Sequence, residues 1–131
     1  MSGIYLDSSA LVKLAVQEAE SDALRKHLRR RRRIWVSSAL ARTEVLRALA
    51  PSGEAALESG RGVLARCELV RINDRILNTA AVLLPSDVRS LDAIHLATAQ
   101  RLGDDVTEFV TYDDRVASAA RFLKMRVIAP T

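Results

Sequence analysis

The sequence predicts an α/β fold with a mostly parallel central sheet covered by helices on both faces. Short apolar runs typical of buried strands alternate along the chain with longer segments of helical periodicity. No hairpin turn residues join neighbouring predicted strands, which favours parallel pairing through helical connections. With 131 residues, 49% of them hydrophobic, the chain can bury one sizeable core, so we expect a single domain over 1–131.

The first half of the chain begins with an apolar strand at 4–6, after which Asp7, Ser8 and Ser9 offer side-chain oxygens to the free amides of a helix start. The next expected elements are a helix at 18–31, a strand at 34–36 closed by the capping pair Ser37-Ser38, a helix at 39–50 ended by Pro51-Ser52-Gly53, and a returning helix at 54–67.

The second half follows the same alternation of strands and helices. The expected elements are a strand at 68–72, a helix at 76–84 capped by Asp74 and broken at Pro85-Ser86, a helix at 91–102 capped by Ser90, a strand at 108–112, a helix from Asp113 or Asp114 to 123, and a strand at 126–128.

Cysteine use and the hydrophobic pattern indicate a cytoplasmic protein. Cys67 is the single cysteine, and its apolar surroundings predict a buried thiol in a reducing compartment. Asp7 and Lys13 interrupt the apolar N-terminal region, and no basic segment precedes it, so we expect neither a signal peptide nor a membrane span.

Positive charge is concentrated in five consecutive arginines at 29–33. These five exceed the formal net charge of +4, so the rest of the chain is slightly acidic. The run is interpreted as a helix end that continues into a loop, because helical residues point about 100° apart and cannot all share one face. Contact with a nucleic acid and simple solvation both remain open for it.

Four carboxylates form the candidate site. Asp7 and Asp113 follow predicted strands, and Glu44 and Asp92 lie on helices with small or apolar neighbours. Open parallel sheets bind ligands outside the carboxyl ends of their strands. Four carboxylates gathered there repel one another and favour a divalent cation, and oxygen ligands select Mg²⁺ or Mn²⁺.

Each carboxylate also has a purely structural explanation. Asp7 and Asp113 can serve only as helix caps, Glu44 can pair with a neighbouring arginine such as Arg47, and Asp92 can favour a helix dipole. The two histidines, His27 and His95, form no zinc-binding pattern, and we assign His95 to helix packing. The occurrence of all four acids together favours the metal site.

Four motifs at these residues resemble the PIN-domain family and, within it, the VapC toxins. The similarity spans nearly the whole chain. The segments that carry it are Ile4-Tyr5-Leu6-Asp7-Ser8-Ser9-Ala10-Leu11-Val12-Lys13-Leu14, Thr43-Glu44-Val45, Leu91-Asp92-Ala93-Ile94-His95-Leu96-Ala97 and Thr111-Tyr112-Asp113-Asp114-Arg115.

The resemblance implies a three-layer α/β/α sandwich and a metal-dependent endoribonuclease that leaves 5′-phosphate and 3′-hydroxyl ends. It implies catalytic and metal-binding roles for Asp7, Glu44, Asp92 and Asp113, with Ser9 as a supporting hydroxyl. It also implies a homodimer and a cognate VapB-like antitoxin that blocks the acidic pocket, often with an arginine near the carboxylates.

Further candidate residues flank the four acids. Thr111, like Ser9, is expected to support the site rather than act as a nucleophile, because no histidine in sequence context suggests a serine–histidine pair. Asp114 either contributes through water or only caps the helix. Arg89 and Arg115 contact substrate phosphate or the antitoxin, or remain surface residues.

Other families fit less well. A haloacid-dehalogenase phosphatase needs a second aspartate where Ser9 stands, and a receiver domain needs an acidic pair that Asp7-Ser8 lacks. Two alternatives stay open: a catalytically idle PIN-like module that binds RNA or protein, and a PIN nuclease of RNA processing outside toxin-antitoxin systems.

Overall fold

A five-stranded parallel sheet forms the centre of the computed structural model, which describes residues 2–131. Its strands are β1 (Gly3–Leu6), β2 (Ile34–Ser38), β3 (Glu68–Val70), β4 (Val106–Val110) and β5 (Val127–Ile128). They lie in the order β3-β2-β1-β4-β5, and every neighbouring pair is parallel. The predicted α/β class with a parallel sheet is confirmed.

Helices cover both faces of this sheet. They are α1 (Ser8–Ala15), α2 (Ser21–Arg29), α3 (Ala41–Leu49), α4 (Glu54–Ala65), α5 (Asp74–Ala81), α6 (Ser90–Leu102) and α7 (Asp114–Phe122), with short 3₁₀ turns at Ala50–Ser52 and Gly103–Asp105. Ile4 and Leu6 pack with α1 to α4, whereas Tyr5 packs with α6 and α7 on the opposite face. This alternation follows from the period of two in a strand, and it produces the three expected layers.

The strand order reverses direction at β1. The chain runs from β1 outward through β2 to β3, and later returns to add β4 and then β5 on the other side. Such a switch point leaves a crevice outside the carboxyl ends of the two central strands. Asp7 directly follows β1, and its amide donates to the Val110 carbonyl at the end of β4 (3.2 Å).

Several strand boundaries differ from the sequence prediction by one or two residues. Ser37 and Ser38 are buried inside β2 rather than beyond it, and the Ser38 hydroxyl accepts from the Leu40 amide where the chain leaves the sheet. Strand β4 ends at Val110, two residues earlier than predicted. The next two residues instead hydrogen-bond the loop that carries Asp7.

The helix caps also required correction. Asn73, not Asp74, caps α5, because its side chain accepts from the Ile76 amide (2.9 Å). Helix α6 begins at Ser90 itself, and the preceding Arg89 forms no side-chain capping bond. Neighbouring polar residues compete for such positions, and the backbone conformation decides between them.

The lone cysteine is half-buried rather than fully enclosed. The Cys67 thiol donates to the Val63 carbonyl (3.4 Å), and burial raises its pKa to about 11. The thiol is therefore protonated near neutrality. Within residues 2–131, no helix is both long and apolar enough to cross a membrane.

Arg33 differs from the other four arginines of the run, which are exposed. Helix α2 ends at Arg29, so the run does leave a helix for a loop, as predicted. The Arg33 guanidinium is buried against the Glu108 carboxylate (2.5 Å), which His27 also contacts (2.9 Å). Arg29, Arg31 and Arg32 line a cleft of about 880 Å³ that contains none of the four candidate carboxylates. Arg33 is therefore a structural residue.

Candidate active site

Asp7 is the most enclosed of the predicted acids, with 4% of its surface exposed. As N-cap of α1, it accepts from the Ala10 amide (3.1 Å) through the same oxygen that accepts from the Ser9 hydroxyl (2.6 Å). Its other oxygen accepts from the Thr111 hydroxyl. Burial raises the pKa of Asp7, and these hydrogen bonds offset that rise only in part.

Two backbone amides of the β4–α7 connection hold the hydroxyls that surround Asp7. The Tyr112 amide donates to the Ser9 oxygen (2.9 Å), and the Asp113 amide donates to the Thr111 oxygen (3.1 Å). Each hydroxyl is thereby oriented to donate its proton to Asp7. The loops after the two central strands are joined through this carboxylate.

Glu44 lies on α3 and faces α6 across the crevice. One oxygen, Oε1, accepts from the Ser8 hydroxyl (2.6 Å) and lies 2.6 Å from Nε2 of His95. Burial raises the pKa of Glu44, but the hydrogen bonds from His95 and Ser8 outweigh it, so its pKa lies below the ordinary value. The arginine pairing considered from sequence does not form.

Asp92 and Asp113 complete the acidic group, and Arg89 lies beside both. The Arg89 guanidinium is 3.4 Å from Asp92 and 3.7 Å from Asp113. Burial raises the pKa of Asp92, and Arg89 opposes that rise. The charges of Asp113 and Glu44 also raise the pKa of Asp92, because carboxylates repel one another.

The structure distinguishes Asp113 from its neighbour. Asp113 is the N-cap of α7, and its Oδ1 accepts from the amides of Arg115 (2.9 Å) and Val116 (3.1 Å). Asp114 is the first helical residue and is exposed. Asp114 and Arg115 line a cleft of about 710 Å³, together with Arg89 and Asp92.

The oxygen atoms of the four candidate acids are chemically suited to binding a hard divalent cation. All four acids offer oxygen, and Arg89 already places positive charge between two of them. In this conformation, no three Asp, Glu, His or Cys side chains of residues 2–131 converge closely enough to hold one ion. A cation would therefore require side-chain adjustment, and exposed Arg89 can move away.

Sequence reasoning assigned His95 to helix packing, and that assignment was incomplete. His95 is buried, yet both ring nitrogens contact polar partners: Nδ1 lies 2.8 Å from the Tyr5 hydroxyl, and Nε2 contacts Glu44 and Ser8. The sequence contained one indication that His95 belongs to the site: it lies three residues after Asp92 and therefore shares its helix face. The partners themselves come from distant segments.

Comparison with known proteins places this architecture in a family. The PIN-domain family model matches residues 4–122. Ribonuclease VapC46 of Mycobacterium tuberculosis is 60% identical over 131 residues, covering 100% of both chains. Ribonuclease VapC35 of the same species is 47% identical over 133 residues, covering 97% of this chain and 96% of its own.

Solved structures agree on the fold. The crystal structure of M. tuberculosis VapC20, described as a toxin that cleaves the sarcin-ricin loop, has a TM-score of 0.76 at 15% identity and covers 89% of this chain and 95% of its own. A chain of a Klebsiella pneumoniae toxin-antitoxin complex has a TM-score of 0.71 at 17% identity, covering 98% of both chains. The matched family model and the full-length relatives together show that this chain belongs to the PIN-domain family and, within it, to the VapC group.

Proposed function

We propose that this chain is an Mg²⁺- or Mn²⁺-dependent endoribonuclease and the toxin of a toxin-antitoxin pair. The observation that carries the proposal is the buried, hydrogen-bonded Asp7 at the switch point of the sheet, with three further acids around the same crevice. A carboxylate held at such a burial cost is typical of a functional site rather than of a structural cap. The identity with ribonuclease VapC46 supports the same activity.

Asp7, Glu44, Asp92 and Asp113 are the residues that would hold the cation. When bound, it would supply a lowered pKa for an attacking water and positive charge to the phosphorane-like transition state. The protein holds two of these acids in place beforehand. Ser9 and Thr111 orient Asp7, and the first amides of α7 orient Asp113. These two side chains would therefore lose little conformational entropy on binding a cation.

The hydroxyls near Asp7 are supporting groups in this proposal. Ser9 and Thr111 both donate their protons to the carboxylate, and neither contacts a histidine that could act as a base. Arg89 and Arg115 have a different role. They line the cleft of about 710 Å³ beside Asp92, where guanidinium groups can bind phosphate oxygens of RNA.

The partners follow from the same assignment. A VapB-like antitoxin is proposed because the K. pneumoniae structural neighbour comes from a toxin-antitoxin complex. A homodimer is supported by exposed apolar side chains on α5 and the segment after it: Leu77, Val82 and Leu84. We assign the protein to the cytoplasm, where its RNA substrate is found.

Cleavage of total cellular RNA by the purified chain tests the activity. We expect discrete cuts with Mg²⁺ or Mn²⁺ that disappear with EDTA and in Asp7→Asn, whose amide preserves shape but weakens a cation site. Asp104→Asn is the matched control, since that exposed aspartate lies in the turn Gly103–Asp105 and should cut normally.

The other outcomes identify the alternatives. Cutting that persists in Asp7→Asn would mean that the site is misassigned or that a contaminating nuclease is present. Absence of cutting with either metal would favour the catalytically idle module that binds RNA or protein. An open reading frame for a small DNA-binding antitoxin directly upstream would favour the toxin over a nuclease of RNA processing.

A further inference from the structure

A chain of polar contacts links Tyr5, which packs with α6 and α7, to Glu44 through His95. The Tyr5 hydroxyl lies 2.8 Å from Nδ1 of His95, and Nε2 of His95 lies 2.6 Å from Oε1 of Glu44. Tyr5 is fully buried, and its ring stacks on Phe109 with centroids 5.0 Å apart. Strand β1 carries Tyr5 and helix α6 carries His95, so both partners of this hydrogen bond are held by regular secondary structure.

These partners determine which ring nitrogen carries the proton in the neutral imidazole. An ionised carboxylate can only accept, so Nε2 must be the donor to Glu44. Nδ1 then accepts from the Tyr5 hydroxyl.

The two donors to Glu44 converge on a single oxygen. Ser8 and His95 both contact Oε1, and no hydrogen-bond donor within residues 2–131 contacts Oε2. Glu44 is only half-buried, so Oε2 remains available at the crevice. The arrangement fixes the rotation of the Glu44 carboxylate and leaves Oε2 without a hydrogen bond from residues 2–131.

We infer that His95 is a positioning residue, which with Tyr5 behind it orients Glu44 so that Oε2 becomes the cation-binding oxygen. The inference rests on the proposed function and adds a residue that acts through Glu44 rather than on substrate. A histidine that only filled the core would need no such set of partners. Outer residues that orient metal ligands typically contribute about 10-fold to 100-fold in metal affinity.

Two substitutions separate positioning from packing. In His95→Asn the amide can replace Nδ1 opposite Tyr5 but is too short to reach Glu44, whereas in His95→Gln the longer side chain can place a donor near the Nε2 position. We expect Mn²⁺ affinity, measured by electron paramagnetic resonance on RNA-free protein, to fall about 10-fold to 100-fold in His95→Asn and to be largely restored in His95→Gln.

A double-mutant cycle with Glu44→Gln tests whether the effect passes through Glu44. In the Glu44→Gln background, His95→Asn should cause little further loss of Mn²⁺ affinity, because the residue it positions is already altered. An equal loss in both backgrounds, or unchanged affinity in His95→Asn, would overturn the inference. Thermal unfolding of each variant identifies those that fold.

A second variant keeps the test decisive if His95→Asn does not fold. Tyr5→Phe keeps the ring against Phe109 and removes only the hydroxyl that fixes the imidazole. A lowered Mn²⁺ affinity in Tyr5→Phe supports the inference, and an unchanged affinity overturns it. Failure of the proposed function gives a different result: the wild-type chain itself would bind no Mn²⁺, and both proposals would then fall.

Discussion

Replacing Arg33 by methionine is expected to destabilise the protein, although four similar arginines precede it. The Arg33 side chain is 4% exposed and contacts Glu108, whose side chain is 7% exposed. Removing one partner of a buried ion pair costs about 3–5 kcal/mol, because a charge stays buried without compensation. His27 (2.9 Å) and Arg126 (3.9 Å) still face Glu108, so we expect a smaller loss than that range, about 2–3 kcal/mol.

Urea unfolding at pH 7 measures this loss against a matched control. Arg31→Met changes an exposed arginine of the same run that forms no salt bridge within residues 2–131, so its effect should stay within about 0.5 kcal/mol. Glu108→Gln in the Arg33→Met background should recover part of the stability, because the unpaired charge is gone. Equal stability of Arg33→Met and Arg31→Met would refute the structural role.

The pH dependence gives a second check on the same pair. Burial raises the pKa of Glu108, but the hydrogen bonds from His27 and Arg33 outweigh it and hold its pKa below the ordinary value. A lowered carboxyl pKa contributes stability that is complete above the unfolded-state pKa and is lost as pH falls through the folded-state pKa. In Arg33→Met the folded-state pKa of Glu108 should rise toward or above its unfolded-state value, so the loss of stability as pH falls should be smaller than in the wild type.

Two further predictions concern packing and the active site. Gly60→Ala should lower the free energy of unfolding, because the new Cβ would lie 2.6 Å from the nearest atom of Leu49. That overpacking costs about 1–3 kcal/mol, which exceeds the gain in helix propensity. Gly62→Ala, on the same helix, meets no atom of residues 2–131 within 4 Å and should stabilise the protein by about 0.5–1 kcal/mol. If both variants shift the midpoint of urea unfolding in the same direction, the close contact with Leu49 does not determine the effect of Gly60→Ala. Asp7→Asn should be more stable than the wild type at pH 7 without metal, because burial raises the pKa of Asp7. The ionised carboxylate therefore destabilises the folded state, and this destabilisation grows as pH rises above the unfolded-state pKa. The advantage should vanish below pH of about 3.9, and a less stable Asp7→Asn at pH 7 would contradict this reasoning.

Much of the fold was predictable because its determinants are local. Short apolar runs indicated the strands, segments with a period of 3.6 indicated the helices, and the absence of hairpin turns indicated parallel pairing. The error at the start of α5 arose because two neighbouring residues offer equivalent chemistry. Asn73 and Asp74 can both accept from a helix-end amide, and only the backbone geometry selects Asn73.

The sequence by itself determined the fold class, the family motifs and the identity of the four candidate acids, because each depends on periodicity or on residues close together in the chain. Only the tertiary structure decided which side chains meet across long separations. It assigned Arg33 to Glu108, 75 residues away, and His95 to Glu44, 51 residues away. Such pairings depend on how the helices pack across the sheet, and no local pattern encodes the contact of one side chain with another so far along the chain.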